Sequence, residues 1–164
     1  MAEMGRKSIL FAFALTCAGF GTMSGQDPGR PAVFTSAQAD AGRMAYENSC
    51  GNCHTLSLRG RKGEEGEIPP LESLPAPFLK FIGPAKRVPP LMGSGFVRGY
   101  GQKTVGELFT LFRGAADTTP VAELHMSDDM LVNITAYILK MNGAQAGREA
   151  LSKTSGVVFA STVE

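Results

Sequence analysis

Apolar residues recur at helical spacing in three stretches of the chain, each opened by a capping signal. In the first, Thr35 is an N-cap and Gln38, three residues on, completes a capping box. The pattern predicts a helix over 36–48 that carries Met44, Ala45 and Tyr46 toward a core. Gly42 in its interior costs about 1 kcal/mol relative to alanine, which predicts a close crossing by another helix. The second stretch starts at Thr104 with Glu107 in a like box, presents Val105, Leu108, Phe109 and Phe112, and is expected to end at Gly114. In the third, Ser127 caps a run in which Met130, Leu131, Ile134, Tyr137, Ile138 and Met141 share a face. Asp128 and Asp129 suit the positive end of that helix dipole, Lys140 the negative end, and Asn142-Gly143 closes the run. With no convincing strand alternation, the expectation is an all-α domain with three main helices. Gly93-Ser94-Gly95 follows no predicted strand and opens no predicted helix, so it reads as a turn rather than a phosphate loop.

The remaining stretches set the expected boundaries. Residues 1–25 have a basic head with Arg6 and Lys7, an apolar core from Ile9 to Phe20 and small residues at Thr22, Ser24 and Gly25. This reads as a secretory signal peptide, since the apolar run is too short for a bilayer; uncleaved, it would be a membrane anchor. Residues 26–35 form a Gly/Pro-bearing lead-in, 36–146 the domain and 147–164 a C-terminal tail. Within the domain, residues 57–90 form a long loop with seven prolines and a charge run of Arg59, Arg61 and Lys62 followed by Glu64, Glu65 and Glu67. It reads as a Pro-stiffened flap in which Leu74, Phe78, Leu79, Phe81 and Ile82 cover an apolar ligand, with one short helix.

The first helix delivers the chain into Cys50-Gly51-Asn52-Cys53-His54, a Cys-x-x-Cys-His run that reads as a covalent attachment site for haem c. Two thiols at this spacing can each add to a vinyl group of one haem, and the next residue, His54, can then ligate the iron as proximal ligand. A zinc site needs four ligands, whereas the chain has only His125 and Cys17 besides these three. A thioredoxin-like pair would want a βαβ context, and the flanks here are helical or Pro-rich. Cys17 raises a lipoprotein alternative, but Thr16 is a poor neighbour for lipid attachment, and Cys17 is expected to leave with the signal. Export agrees with haem attachment, which bacteria complete outside the cytoplasm; a periplasmic location follows as the expectation.

Charge adds an exclusion. Without Glu3, Arg6 and Lys7 the mature part of about 139 residues has 14 basic and 14 acidic side chains, so nothing calls for nucleic acid or an anionic membrane as partner.

Taken together, Gln38-Ala39 with Gly42, Tyr46 and the Cys-x-x-Cys-His run, then Pro89-Pro90-Leu91-Met92-Gly93 with Phe96, then Thr104 to Phe109, then Ala136 to Leu139 with Asn142-Gly143, resemble class I c-type cytochromes. The resemblance covers about residues 36–146 and is closest to monohaem cytochromes that accept electrons from periplasmic dehydrogenases. It implies a cytochrome c-like fold around one haem and contact of Gly42 with Tyr137. It also implies that a carbonyl of Pro89 or Pro90 accepts a hydrogen bond from the second nitrogen of His54. Tyr100 stands where the family has a tryptophan near the haem propionates, with Arg98 or Lys103 as counter-charge.

One departure concerns the iron. The family's sixth ligand is a methionine, usually followed by proline, between the last two helices; here threonine precedes Pro120. Met126 is the expected distal ligand as the nearest sulfur, with His125, an open site and Met92 as alternatives. Two functional classes follow from the resemblance. One is an electron carrier docking redox protein partners (a dehydrogenase, an oxidase or another cytochrome) through interfaces below about 1,200 Å². The other is a haem sensor or peroxidase-like protein with an open iron position, less favoured because no distal Arg/His pair is evident.

Overall fold

Two long helices cross at the centre of the molecule, and a glycine sets their distance. The computed structural model describes residues 29–62, 74, 76–79, 81–82 and 87–163, so the signal-peptide expectation for 1–25 lies outside the described residues. In chain order, β1 (Phe34–Thr35) leads into α1 (Ser36–Glu47), and α2 (Gly51–His54) holds the motif. Then come β2 (Arg61–Lys62), α3 (Ala76–Leu79), β3 (Arg87–Val88), α4 (Ser94–Tyr100), α5 (Val105–Thr118), α6 (Asp128–Met141) and β4 (Ala146–Gly147). The described fold is mostly α-helical, the strands being two short pairs: β1 parallel to β4 and β2 antiparallel to β3.

Both capping boxes form: Thr35 accepts from the Gln38 amide and Thr104 from the Glu107 amide, each at 3.2 Å. The Ser127 hydroxyl likewise accepts from the Met130 amide at 3.2 Å. Helices α1 and α6 pack most extensively, and a Cβ on Gly42 would lie 1.8 Å from the Asn133 carbonyl oxygen. The crossing therefore requires glycine. The nearest atoms at Gly42 belong to the Asn133–Ile134 backbone, while Tyr137 sets its ring 5.3 Å from that of Tyr46. Leu131, Ile134, Ile138 and Leu139 of α6 are buried with Phe34, Val105, Leu108 and Phe159 in one core.

Three elements differ from the sequence reading. Helix α5 continues past Gly114 to Thr118, since Ala115 and Ala116 favour helix and an isolated glycine is tolerated. It stops at Thr119, which is extended at φ −110°, ψ 175° because Pro120 follows. Gly93-Ser94-Gly95 does open a helix: Gly93 takes φ +87° as its N-cap, and Phe96 packs at 5.7 Å from Phe159 far along the chain. Finally, residues 147–163 belong to the packed fold. The Gln38 carboxamide brackets Leu151, accepting from its amide at 2.7 Å and donating to its carbonyl at 3.1 Å. The first amides of α5, which have no partner within the helix, donate to this segment: Val105 to Val157 at 2.8 Å and Gly106 to Ser155 at 2.9 Å.

Candidate functional site

The motif is a single helical turn held from several sides. The His54 amide donates to the Cys50 carbonyl at 2.9 Å, and the His54 carbonyl accepts from Gly60 at 3.0 Å. Arg61 covers the end of the turn, donating through Nε to the Cys53 carbonyl and through Nη2 to the Asn52 carbonyl, both at 3.1 Å. The buried Tyr46 hydroxyl donates to the Thr55 carbonyl at 2.8 Å, and burial pushes its phenol well above the usual value. Thr55 and Leu58 both take positive φ, 64° and 58°, a conformation costly for residues with a branched or bulky side chain. Two left-handed non-glycine residues within four positions of His54 mark this turn as one the surroundings over-determine.

The second wall of the motif comes from across the β2–β3 pair, which closes the base of the long loop through Arg61–Val88 and Lys62–Arg87 pairing. At the crossover a Cβ on Gly60 would lie 2.2 Å from the Val88 carbonyl oxygen, so only glycine fits. This places Pro89 beside the imidazole, and His54 Nδ1 lies 2.8 Å from the Pro89 carbonyl oxygen. That acceptor fixes the tautomer: Nδ1 carries the proton and donates, leaving Nε2 with its lone pair available in the cleft. Burial pushes the imidazole below its usual value, with the Pro89 bond pulling the other way.

Cys50, Cys53 and His54 line one cleft of about 320 Å³ together with Pro89, Leu91, Phe96, Tyr100, Leu108 and Ile138. Burial raises both thiols; for Cys50 the Ser49 hydroxyl and for Cys53 the Arg61 guanidinium pull in the opposite direction. Raised thiols are the reverse of the depressed nucleophilic thiol of a disulfide-exchange pair. The donor set fits haem c. Two free thiols and one oriented imidazole share a mostly apolar cleft, while among the described residues no three His, Cys, Asp or Glu side chains gather as a metal site.

The long loop contributes to this cleft as well. Its short helix is α3, and Phe78, Phe81 and Ile82 line the cleft; Leu74 is buried against Val88, and Leu79 and Phe81 are partly exposed. Glu64, Glu65 and Glu67 lie outside the described residues.

The remaining wall comes from Leu111, Phe112, Ala115, Ala116, Thr119, Pro120 and Val121. The distal candidates are not among these lining residues. Met126 is buried in the main core, its carbonyl accepting from Arg113 Nη1 at 2.7 Å, and His125 is exposed in the left-handed region at φ +46°. Met92 is half-buried against the main core, and none of the three lines the cleft. Tyr100 does line it, its ring 5.0 Å from Phe96, whereas Arg98 is exposed and Pro90 is exposed beside Pro89. Sequence reasoning missed Arg61 and the Tyr46 hydroxyl as supports of the motif, and neither leaves a local signature: one reads as part of a charge run, the other as core.

No known protein family matches the chain, and neither a curated protein nor a solved structure matches it.

Proposed function

We propose that this protein is an exported monohaem c-type cytochrome that carries single electrons between a periplasmic dehydrogenase and the respiratory chain. One observation carries the reading: the two thiols and the imidazole of a Cys-x-x-Cys-His run line a single apolar cleft, with His54 Nδ1 directed to the Pro89 carbonyl at 2.8 Å. Cys50 and Cys53 would hold the haem by thioether bonds and His54 Nε2 would ligate its iron; bound there, haem c supplies a one-electron ferric/ferrous couple. The chain's own part is to orient and exclude. Pro89 holds the His54 ring and makes it a stronger donor, which favours the ferric side. Phe78, Phe81, Ile82, Leu111 and Phe112 restrict water, and Tyr100 offers a hydroxyl to the propionates.

A second reading, a haem sensor or peroxidase-like protein with an open sixth position, is favoured by one feature. Among the described residues, the cleft lining contains no methionine and no histidine besides His54. Residues 63–86 of the loop add none, since their sequence contains neither histidine, methionine nor cysteine.

The first reading is tested by producing the full chain with a periplasmic maturation system and staining a denaturing gel for haem. Stain that survives acidified acetone and disappears in the Cys50→Ser/Cys53→Ser double variant is expected; complete extraction of stain from the native chain would overturn it. Carbon monoxide added to the ferrous protein separates the two readings, because rapid binding requires an accessible sixth position.

A further inference from the structure

We infer that Asn142, at the end of α6, is a positioning residue for His54, acting through the backbone segment that supplies the imidazole's acceptor. For its readout the inference rests on the haem reading above; its geometry does not.

Pro89 and Pro90 have no backbone N–H, so the segment carrying the critical carbonyl has no donor of its own with which to anchor itself. Its position is set by its neighbours. Upstream, Val88 is held in the β2–β3 pair. Downstream, the Leu91 amide donates to the Leu58 carbonyl at 2.8 Å, and the Leu91 carbonyl accepts from Asn142 Nδ2 at 2.9 Å. Asn142 Oδ1 accepts from the Gly93 amide at 3.0 Å, and the second Nδ2 hydrogen goes to the Ile138 carbonyl of its own helix at 2.8 Å. One carboxamide thus uses its oxygen and both hydrogens, and its partners leave no doubt about which end is oxygen.

The tether refers the Pro89 carbonyl to α6, the helix with the most continuous buried run, from Leu131 through Leu139 apart from Asn133. Without it, the segment hangs between the Leu58 contact and a two-residue ribbon. The His54 hydrogen bond then lengthens or loses alignment, the imidazole becomes a weaker donor, and ferric iron is less stabilised. A serine cannot replace the carboxamide, because one hydroxyl cannot span both Leu91 and Gly93.

The test is the midpoint potential of the full-length holo-protein as native chain, Asn142→Ala, Asn142→Ser and Lys140→Ala. Lys140 pairs with Asp40 at 3.0 Å near the same helix end and serves as a control for stability alone. At a fixed solution potential, both Asn142 variants are expected to raise the ferrous-to-ferric ratio three- to tenfold, tenfold being about 59 mV. Lys140→Ala is expected to lower thermal stability slightly with the ratio unchanged. Should Asn142→Ala yield no holo-protein, Asn142→Ser, which keeps a capping hydroxyl, is read alone. Ratios for the Asn142 variants that match the native and Lys140→Ala proteins would overturn the tether. Absence of covalent haem from the native chain would instead overturn the haem reading, so the two failures are distinct.

Discussion

The two sides of the cleft are built on different principles. On the His54 side the motif turn and its support are tied by hydrogen bonds from outside the turn: Arg61 to Cys53 and Asn52, Tyr46 to Thr55, Pro89 to His54, and Asn142 to the segment behind Pro89. On the Thr119 side the lining is leucine, phenylalanine, alanine, threonine, proline and valine, and Arg113 fastens the loop to the Met126 carbonyl behind it. The difference teaches where specificity resides. A ligand entering this cleft meets one pre-oriented nitrogen on the first side and mainly shape on the second.

Removing the oriented nitrogen is the largest blow to that contrast. His54→Ala is expected to change the visible spectrum of the holo-protein completely and to lower its thermal stability more than any surface substitution; an unchanged spectrum would rule out His54 as ligand.

Next in size is a test of the second side. Met126→Ala truncates a buried core residue and is expected to cost about 2–5 kcal/mol in denaturant unfolding while leaving the ferric spectrum as it was. Conversion of that spectrum to high-spin would place Met126 on the iron and give the second side a donor after all. The same conversion in His125→Ala, with Met126→Ala unaffected, would signify a bis-histidine, lower-potential haem.

Tyr46→Phe probes the supports of the first side. It removes one of the two donors to the Thr55 carbonyl, the Leu58 amide remaining at 3.1 Å, for a loss of about 0.5–1.5 kcal/mol measured by chemical unfolding, with the haem still attached. A loss no larger than that of an exposed substitution would show the tie to be dispensable.

The smallest effect concerns Asp128 at the start of α6. The hydrogen bond from Lys153, with further help from its charge and from Arg113, holds this carboxyl below its usual value. A lowered folded-state value means its contribution is present above the unfolded carboxylate range and is lost as pH falls through the folded one. Asp128→Asn should therefore flatten the acid limb of a stability–pH curve slightly and leave the neutral limb's shape unchanged; an identical acid limb would deny the pairing any role.

What the chain determined by itself is local. Caps at Thr35, Thr104 and Ser127 act over three residues, and apolar spacing acts over one or two turns, so the long helices and the Cys-x-x-Cys-His turn could be read without coordinates. A short helix in the flap was expected, but its place, Ala76–Leu79, was not. The tertiary structure decided the rest because its determinants are bonds between residues far apart in sequence, which leave no periodic trace. Gln38 reaches Leu151 across 113 positions, turning an expected tail into part of the fold, and Phe96 needs Phe159 before α4 has a surface to pack on. Asn142 looks like a helix stop in sequence, and only its bond to Leu91, 51 positions away, connects it to the imidazole. The lining opposite the motif is decided in the same way. Met126 and Thr119 are near neighbours in sequence, but the turn at Pro120–Leu124 lies between them, and of the two only threonine lines the cleft while Met126 is buried in the core.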